Sequence, residues 1–513
     1  MKSTPLSLIA GVVALASVTG FAAVTVPGDE GATQAKSATR LPVERSSLLC
    51  PAPSTSDLAE TKYTSFTPAG ESPKAGTAEL KPAEALPVDD ATDKGATDKG
   101  AKDKKKEGEK GKAADTKPVV SLKELGKPFT AETSKTGAPA LIGTATDTFA
   151  PGWAAQQTTM AAAGAARGLL GVSCTAPDTD FWFPGASTGK ARQDYVHLTN
   201  PDDTAAVADI ELYGAEGALK SDVGEGITVP ARSSVPMLIS TLTSEVAENV
   251  AVHVTTRSGR VGAVVSAAEE EVGSDWLAAS ADPTSTQILP GIPADATSVR
   301  LVAFAPGEDD ADVKVQLVGK SGTFSPAGND TLHIKSQMTA SVDLKDVTRG
   351  EPGSLRLTPV DGDGTPVVAA LRVVRGTGAK QEVAFIPATG PVGERATAAD
   401  NRAKGSVLSL AAPGATAKVK VTASAGSEGG KAAVKTYTVK GGTTLEVTPD
   451  APAGLKGGYA LTVEPESGGQ VYAARTLTVP EDGINMFTVQ TLPDDGGTVE
   501  VPEAEQDLSV LDD

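Results

Sequence analysis

Cysteine, histidine and aromatic residues are scarce in this chain, and each scarcity removes a class of function. Among 513 residues there are two cysteines and three histidines, and aromatics make up 4%. Two thiols, Cys50 and Cys174, with no C-x-x-C pair, exclude the usual zinc and dithiol spacings. His197, His253 and His333 all fall inside strand-like patterns, and no two sit at metal-ligand spacing. Neither a metal nor a cofactor is expected. An excess of positive charge is also missing. The formal net charge is −19, which disfavours nucleic acid, because that affinity comes from neutralising phosphates with Lys and Arg. It equally disfavours a polybasic grip on anionic lipid. With so few aromatics, cores must be built from small and β-branched residues, which suit pleated, half-buried surfaces.

What is present starts with an apolar run. Lys2 precedes the uncharged residues 6–26, and Asp29 and Glu30 follow them. The run is long enough to cross a ~30 Å hydrocarbon core as a helix. It also overlaps the class of secretory leaders, with Ala14-Leu15-Ala16 or Gly20-Phe21-Ala22 as cleavage candidates. An uncleaved anchor and a cleaved signal peptide both remain open. Either way the charge order places the N-terminus inside and the rest of the chain outside. In that oxidising setting Cys50 and Cys174 read as one disulfide, the alternative being two unpaired small hydrophobes. Residues 89–117 hold nine Lys and eight Asp or Glu, and no aliphatic side chain larger than Ala. Such a segment cannot bury enough apolar area to offset backbone ordering, so a disordered, solvated tether is expected. Residues 494–513 hold eight acids and no Lys or Arg, an acidic tail in which Thr498–Val501 could still form a strand.

Self-similarity is the most informative feature. Three stretches open alike, from Tyr195 (YVHLTNPDDTAAVADIELYGAEG), Val299 (VRLVAFAPGEDDADVKVQLVGKSG) and Ser406 (SVLSLAAPGATAKVKVTASAGSEGG). Each reads as a strand, a Pro turn, an alternating strand and a Gly turn, followed by two short strands and a hairpin. Val207, Ile210 and Leu212 in the first, and Val313, Val315 and Leu317 in the second, fall close to period two. Seven or eight short strands per ~100 residues is the pattern of a β-sandwich. The fold expected is therefore all-β, tandem Ig-like sandwich modules behind an N-terminal hydrophobic helix and a disordered linker. A β-propeller is the alternative, since radial repetition also produces many short strands. The expected organisation is a leader or anchor (1–40), a partial β-domain (41–74 and 128–178), a charged linker (75–127), modules at 179–288, 289–386 and 387–493, and the tail (494–513). The partial domain carries expected strands at Lys62–Thr67 and Leu141–Thr148, with Gln156–Leu170 helix-prone or loop-like.

Cys50-Pro51, then Cys174 followed by Asp180-Phe181-Trp182-Phe183-Pro184-Gly185, then Leu198-Thr199-Asn200-Pro201, form a pattern. It resembles an exported actinobacterial family, domain of unknown function 5719, over roughly residues 45–70 and 135–490. The third repeat departs from it, with Ala411-Ala412-Pro413 in place of Thr199-Asn200-Pro201. The resemblance implies an exported envelope protein without an assigned activity, and it transfers no catalytic residue.

Motifs that suggest chemistry do not stand up to their own requirements. Gly185-Ala186-Ser187-Thr188-Gly189 matches the G-x-S-x-G nucleophile elbow, making Ser187 the one candidate of an acyl hydrolase. That motif needs a strand before and a helix after in an α/β sheet, and here the context is strand and loop. Gly319-Lys320-Ser321 lacks the first glycine of a phosphate loop, Lys314 standing in its place. Asp361-Gly362-Asp363-Gly364 would need an acid twelve positions in, and Arg372 stands there. Asn329-Asp330-Thr331 is a sequon of no consequence in a bacterial chain. Trp182 is the one surface candidate: alternation in a strand points it away from Phe181 and Phe183, either as an exposed platform for a sugar or partner or into a core against the neighbouring Cys174 disulfide. The expectation is a non-enzymatic, exported cell-envelope scaffold, membrane-anchored through residues 6–26 or secreted. Its partner would be an envelope protein or, alternatively, a cell-wall glycan.

Overall fold

The computed structural model describes residues 39–502 apart from 55, 71–73, 85–116 and 222. The apolar run 6–26, the middle of the charged linker and the end of the acidic tail lie outside the described residues. The chain forms two units, residues 43–497 and the flanking ends. In the smaller unit Thr39–Pro42 pairs antiparallel with Thr498–Val501, both exposed, with Arg40 against Glu500.

The larger unit is all-β, and no α-helix occurs among the described residues. Its first sandwich has eight strands: Arg45–Cys50, Ala59–Phe66, Ala78–Pro82, Val120–Ser121, Phe129–Thr133, Leu141–Thr146, Ala154–Ala161 and Gly168–Ser173. One layer runs in the order first, sixth, third, fourth, and the other fifth, second, seventh, eighth. Residues 180–277, 287–387 and 396–492 repeat this order three more times. In the second and third sandwiches two short strands share the fourth position, and the last carries an extra ribbon, Gly429–Lys431 with Ala453–Lys456. The inner pairs, second with fifth and third with sixth, are those of an immunoglobulin sandwich. The first and seventh strands have exchanged layers relative to it.

Alternation along each strand explains the layers. The third strand of the third sandwich, Ala311–Gly319, buries Ala311, Val313, Val315 and Leu317 and turns Asp312 and Lys314 to solvent. Its counterpart in the second sandwich, Ala206–Gly214, buries Ala208, Ile210 and Leu212. Val207, expected in the inward set, lies off phase. It stands three residues from Ile210, an odd spacing that period-two alternation sends to the opposite face, and Ala206 and Ala208 hold the inward positions on either side of it.

Several expectations need correction. Gln156–Leu170 is neither helix nor loop through most of its length; Ala154–Ala161 and Gly168–Ser173 are the seventh and eighth strands. Within the 75–127 stretch expected as linker, Ala78–Pro82 and Val120–Ser121 are paired strands, because Leu80 and Val120 supply core side chains. The N-terminal segment, expected as a partial domain, carries the complete eight-strand order. The charged excursion is inserted between its third and fourth strands, which hides the repeat from a linear scan.

The sandwiches also do not behave as separate beads. Their eighth strands meet in a closed cycle: Gly168–Ser173 against Gly273–Leu277, that against Glu382–Pro387, that against Ile484–Leu492, and the last back against the first. Apolar clusters cross every seam. Leu170 and Val172 join Val264 and Trp276. Val383 and Phe385 sit in the core of the second sandwich, and Ala474, Phe487 and Val489 in that of the third. Leu169 meets Leu477 and Met486, and Phe66 meets Ala399 and Ala460, closing the ring. The sheets pair as sandwiches rather than forming single-sheet blades, yet their cyclic arrangement is what the propeller alternative shares.

The Cys50–Cys174 disulfide is formed, with Cα atoms 4.5 Å apart. It ties the first strand of the first sandwich to the end of the eighth, beside reciprocal Leu49–Thr175 backbone hydrogen bonds of 2.8 and 3.1 Å. A loop this long is worth ~5 kcal/mol in a chain-entropy treatment. Trp153 packs in the same cluster, its indole N–H donating to Ser65 Oγ at 2.8 Å.

Because the cores are shared, urea unfolding of the larger unit should be one transition, superimposable by tryptophan fluorescence and far-UV circular dichroism. Phe487→Ala should lower its stability by about 3–5 kcal/mol and move both probes together. Two separated transitions would show that the sandwiches fold independently.

Candidate functional site

Chemistry-bearing side chains gather at three places in the ring: the convergence of the eighth strands, the seam holding Trp182, and the face holding His197. At the convergence, Gly168–Ser173 can lie close to its neighbours because Gly171 has no side chain. A Cβ there would come within 2.1 Å of Gln490 Nε2 and 2.6 Å of Thr488 Cγ2. Beside them lies Asp275, fully buried, whose carboxylate accepts the Gly171 N–H at 3.0 Å and the Thr488 hydroxyl at 3.0 Å. Burial pushes the Asp275 carboxyl well above the usual range, against the hydrogen bonds from Gly171, Trp276 and Thr488 that favour the charged form. Three sandwiches thus share one acid.

Arg167, in the turn before the eighth strand of the first sandwich, reaches two further sandwiches. Its guanidinium forms an ion pair with Glu382 and donates to the Val272 and Gln381 carbonyls at 2.7 and 2.8 Å. Burial raises the Glu382 carboxyl to about 8, with Arg167 pulling the other way. A fully buried arginine, Arg475, lies between the fourth and first sandwiches. Nη2 donates to Gln156 Oε1 at 3.1 Å, and the same oxygen accepts the Asp400 N–H at 2.8 Å. Burial lowers Arg475 to about 10, so it stays charged at neutral pH. Asp275, Glu382 and Arg475 are sealed from solvent and Arg167 is mostly covered, and their geometry is that of a lock between sandwiches.

Trp182 occupies the seam between the second and third sandwiches. Phe181 and Phe183 face the core, as alternation predicts, and Trp182 faces the other way. It is not an exposed platform: 8% of its surface remains accessible. One face stacks on His253 at 3.6 Å, and Phe304 of the next sandwich lies 5.3 Å away. Nor does it join the cluster around the disulfide, where the buried aromatics are Tyr63 and Trp153. His253 is held between Asp180 and Glu211 at 3.2 and 3.1 Å, a cross-strand arrangement set by the Trp182–His253–Glu211 register.

Ser187 is buried in a turn. Its hydroxyl donates to the Ala247 carbonyl at 3.3 Å and accepts the Gly189 N–H at 2.9 Å, and no histidine is among its partners. The segment after it is loop leading to a strand rather than a helix, so the nucleophile-elbow geometry is absent. Gly319-Lys320-Ser321 is a hairpin turn, and Asp361–Gly364 is a turn in the connection that crosses from one layer of the third sandwich to the other. His333 is exposed beside Asp312 and Asp310. His197 Nε2 lies 3.0 Å from Ser266 Oγ, its ring is edge-on to Trp276, and Nδ1 has no partner and no exposed surface. Burial lowers its pKa to about 4, so the ring is neutral at physiological pH. Among the described residues no three His, Cys, Asp or Glu side chains are grouped as metal ligands.

Arg167, Asp275, Glu382 and Arg475 were invisible to motif reasoning because their partners come from other sandwiches. The one local signal was a charge on the inward phase of an otherwise apolar strand.

The model of a family described as "Family of unknown function (DUF5719)" matches residues 129–450, more than half of the chain, and the chain belongs to that family. No curated protein matches it.

Removing Arg167 leaves the Glu382 carboxyl and the Val272 and Gln381 carbonyls buried without their donor. Arg167→Ala should therefore lower stability by about 3–5 kcal/mol, and Arg167→Ala with Glu382→Gln should recover part of the loss. Equal losses in thermal denaturation of single and double variants would remove Arg167 as a lock. For His197 the sign is opposite to that of a paired histidine. Below the ordinary value of 6.5 the unfolded chain takes up a proton that the folded chain refuses until about pH 4. Stability should fall by up to ~3 kcal/mol as pH drops through that window, and His197→Leu should flatten the slope. Urea titrations at stepped pH measure it.

Proposed function

We propose that this member of the family is an exported, non-enzymatic scaffold of the cell envelope, presenting docking faces on a ring of four locked sandwiches. The observation that carries the reading is the use of its buried charges. Arg167, Glu382, Asp275 and Arg475 hold sandwiches to one another, leaving the described titratable groups without a nucleophile–base pair in an open cleft. Export is supported by the buried Cys50–Cys174 disulfide, since such bonds persist in oxidising compartments. It is also supported by the apolar run 6–26 after Lys2, which would serve as anchor or leader. No helix among the described residues is long and apolar enough to cross a membrane.

A protein partner is favoured over a cell-wall glycan. Sugar binding usually wants an exposed aromatic strip, and Trp153, Trp182 and Trp276 are all buried. Among the exposed large hydrophobics described, Phe324 is the lone aromatic.

On intact cells, a membrane-impermeant biotinylating reagent should label the chain while sparing a cytoplasmic marker, and non-reducing electrophoresis should show the disulfide formed. Cross-linking should yield a discrete protein adduct. A reduced chain in the cytoplasmic fraction would overturn export, and saturable sedimentation with purified sacculi would favour the glycan reading.

A further inference from the structure

One of the four sandwiches differs from the others in how its second layer is covered. In the third sandwich the outer face of that layer is overlain by Asp180–Ala186, which packs across Ala296–Phe304 and Val368–Arg375. Gln287–Ile292 covers Ser406–Ala412 and Tyr472–Glu481 in the fourth, and Ala396–Asn401 covers Ala59–Phe66 and Ala154–Ala161 in the first. In the second sandwich the corresponding cover, Arg45–Cys50, packs substantially only on Gly262–Glu269. The strand Arg192–Thr199 is left largely open on that side.

The cause is local. Asp180–Ala186 and Gln287–Ile292 each continue through a Pro-Gly bulge, Pro184-Gly185 and Pro290-Gly291. Gly291 has φ +93, and a Cβ there would stand 2.7 Å from Ala474 on the covered face. The first sandwich has Pro51-Ala52 at the matching place, and the disulfide holds the preceding Cys50 to Cys174 of its own sandwich. The covering strand therefore ends early, and the loop Ala52–Ser54 stands off the sheet.

The result is a recess of ≈ 310 Å³, walled by that loop and Leu170. Its floor is Tyr195, His197, Pro236, Ser266, Ala268 and Trp276. No Asp, Glu, Lys or Arg lines it. Three polar atoms on its lining residues have no hydrogen-bond partner: His197 Nδ1, Trp276 Nε1 and Ser274 Oγ. Buried polar atoms are nearly always paired, and three such exceptions around one recess need an explanation.

We propose that this recess binds one uncharged, largely apolar small molecule carrying a carbonyl oxygen. Tyr195 and Trp276 supply the apolar floor. The absence of ionised groups rejects charged ligands, whose desolvation nothing here would offset. The indole N–H of Trp276, which has no acceptor in the protein, is the donor for that carbonyl. The volume lies at the lower end of ligand pockets, ~300–1,000 Å³. The inference does not depend on export or on a scaffold role.

The probe is 6-propionyl-2-dimethylaminonaphthalene, which is uncharged, flat and carbonyl-bearing. Titrated against the full chain, its emission should shift to the blue and saturate at one equivalent, with energy transfer from Trp276. Ala268→Trp, which fills the recess from its floor, should abolish that saturable phase with far-UV circular dichroism unchanged. Trp276→Phe keeps an aromatic floor but removes the N–H, and should weaken binding about tenfold. This second variant decides the matter if Ala268→Trp fails to fold. Absence of saturable binding, saturation at several equivalents, or undiminished binding by both folded variants would overturn the proposal.

Discussion

Four short strands, one from each sandwich, must share a single interior, and the rest of the larger unit is arranged so that they can. Each of these eighth strands is an edge strand of its own sheet. An open edge is a liability that proteins cover or charge. Here each edge is covered by the edge of its neighbour without backbone ladder pairing between the sheets. Close approach is possible because Gly171 adds no volume. Asp275 then satisfies a backbone N–H from one neighbour and a hydroxyl from another. A buried acid is a poor source of net stability, but it penalises any arrangement that leaves it unpaired. Its contribution is to define which edges meet.

Arg167 and the disulfide act on the same geometry from outside the convergence. Arg167 binds two carbonyls and a carboxylate contributed by two sandwiches other than its own, a use suited to a rigid planar fork. The disulfide fixes the first strand of the first sandwich to its eighth. That strand in turn is the cover for the second sandwich. Its early end, set by Cys50 and Pro51, is why one face of the ring keeps a recess while the equivalent faces are overlain. A repeat protein with one altered seam acquires one distinct surface without changing its fold, which is how function is commonly added to repeated frameworks.

The candidate residues singled out by motif were mostly absorbed by structure. Ser187 serves a turn, His253 and Trp182 fill a seam, and the Asp-Gly-Asp-Gly run is a turn between two layers. Each matched a local pattern whose required context, a following helix or a clustered ligand set, was absent. The groups that organise the ring carried almost no pattern at all. Asp275 and Glu382 are single acids in strands, and nothing along the chain indicates that Gly171 or Arg167 lies beside them. The first sandwich was half legible for a similar reason: the charged insertion between its third and fourth strands broke the spacing by which the other three were recognised.

Strand content, the turn positions, the threefold visible repeat and the sandwich layering were determined by the sequence itself, because period-two alternation and Gly or Pro turns act within a few residues. The oxidisable cysteine pair was equally a local fact of composition. Only the tertiary structure decided that four sandwiches close on one another, which buried charges lock them, and where the one uncovered face lies. Those outcomes depend on contacts between residues a hundred or more positions apart, such as Arg167 with Glu382 and Gln156 with Arg475. Their energies come from shared burial and desolvation, and neither quantity has a value until the surfaces meet.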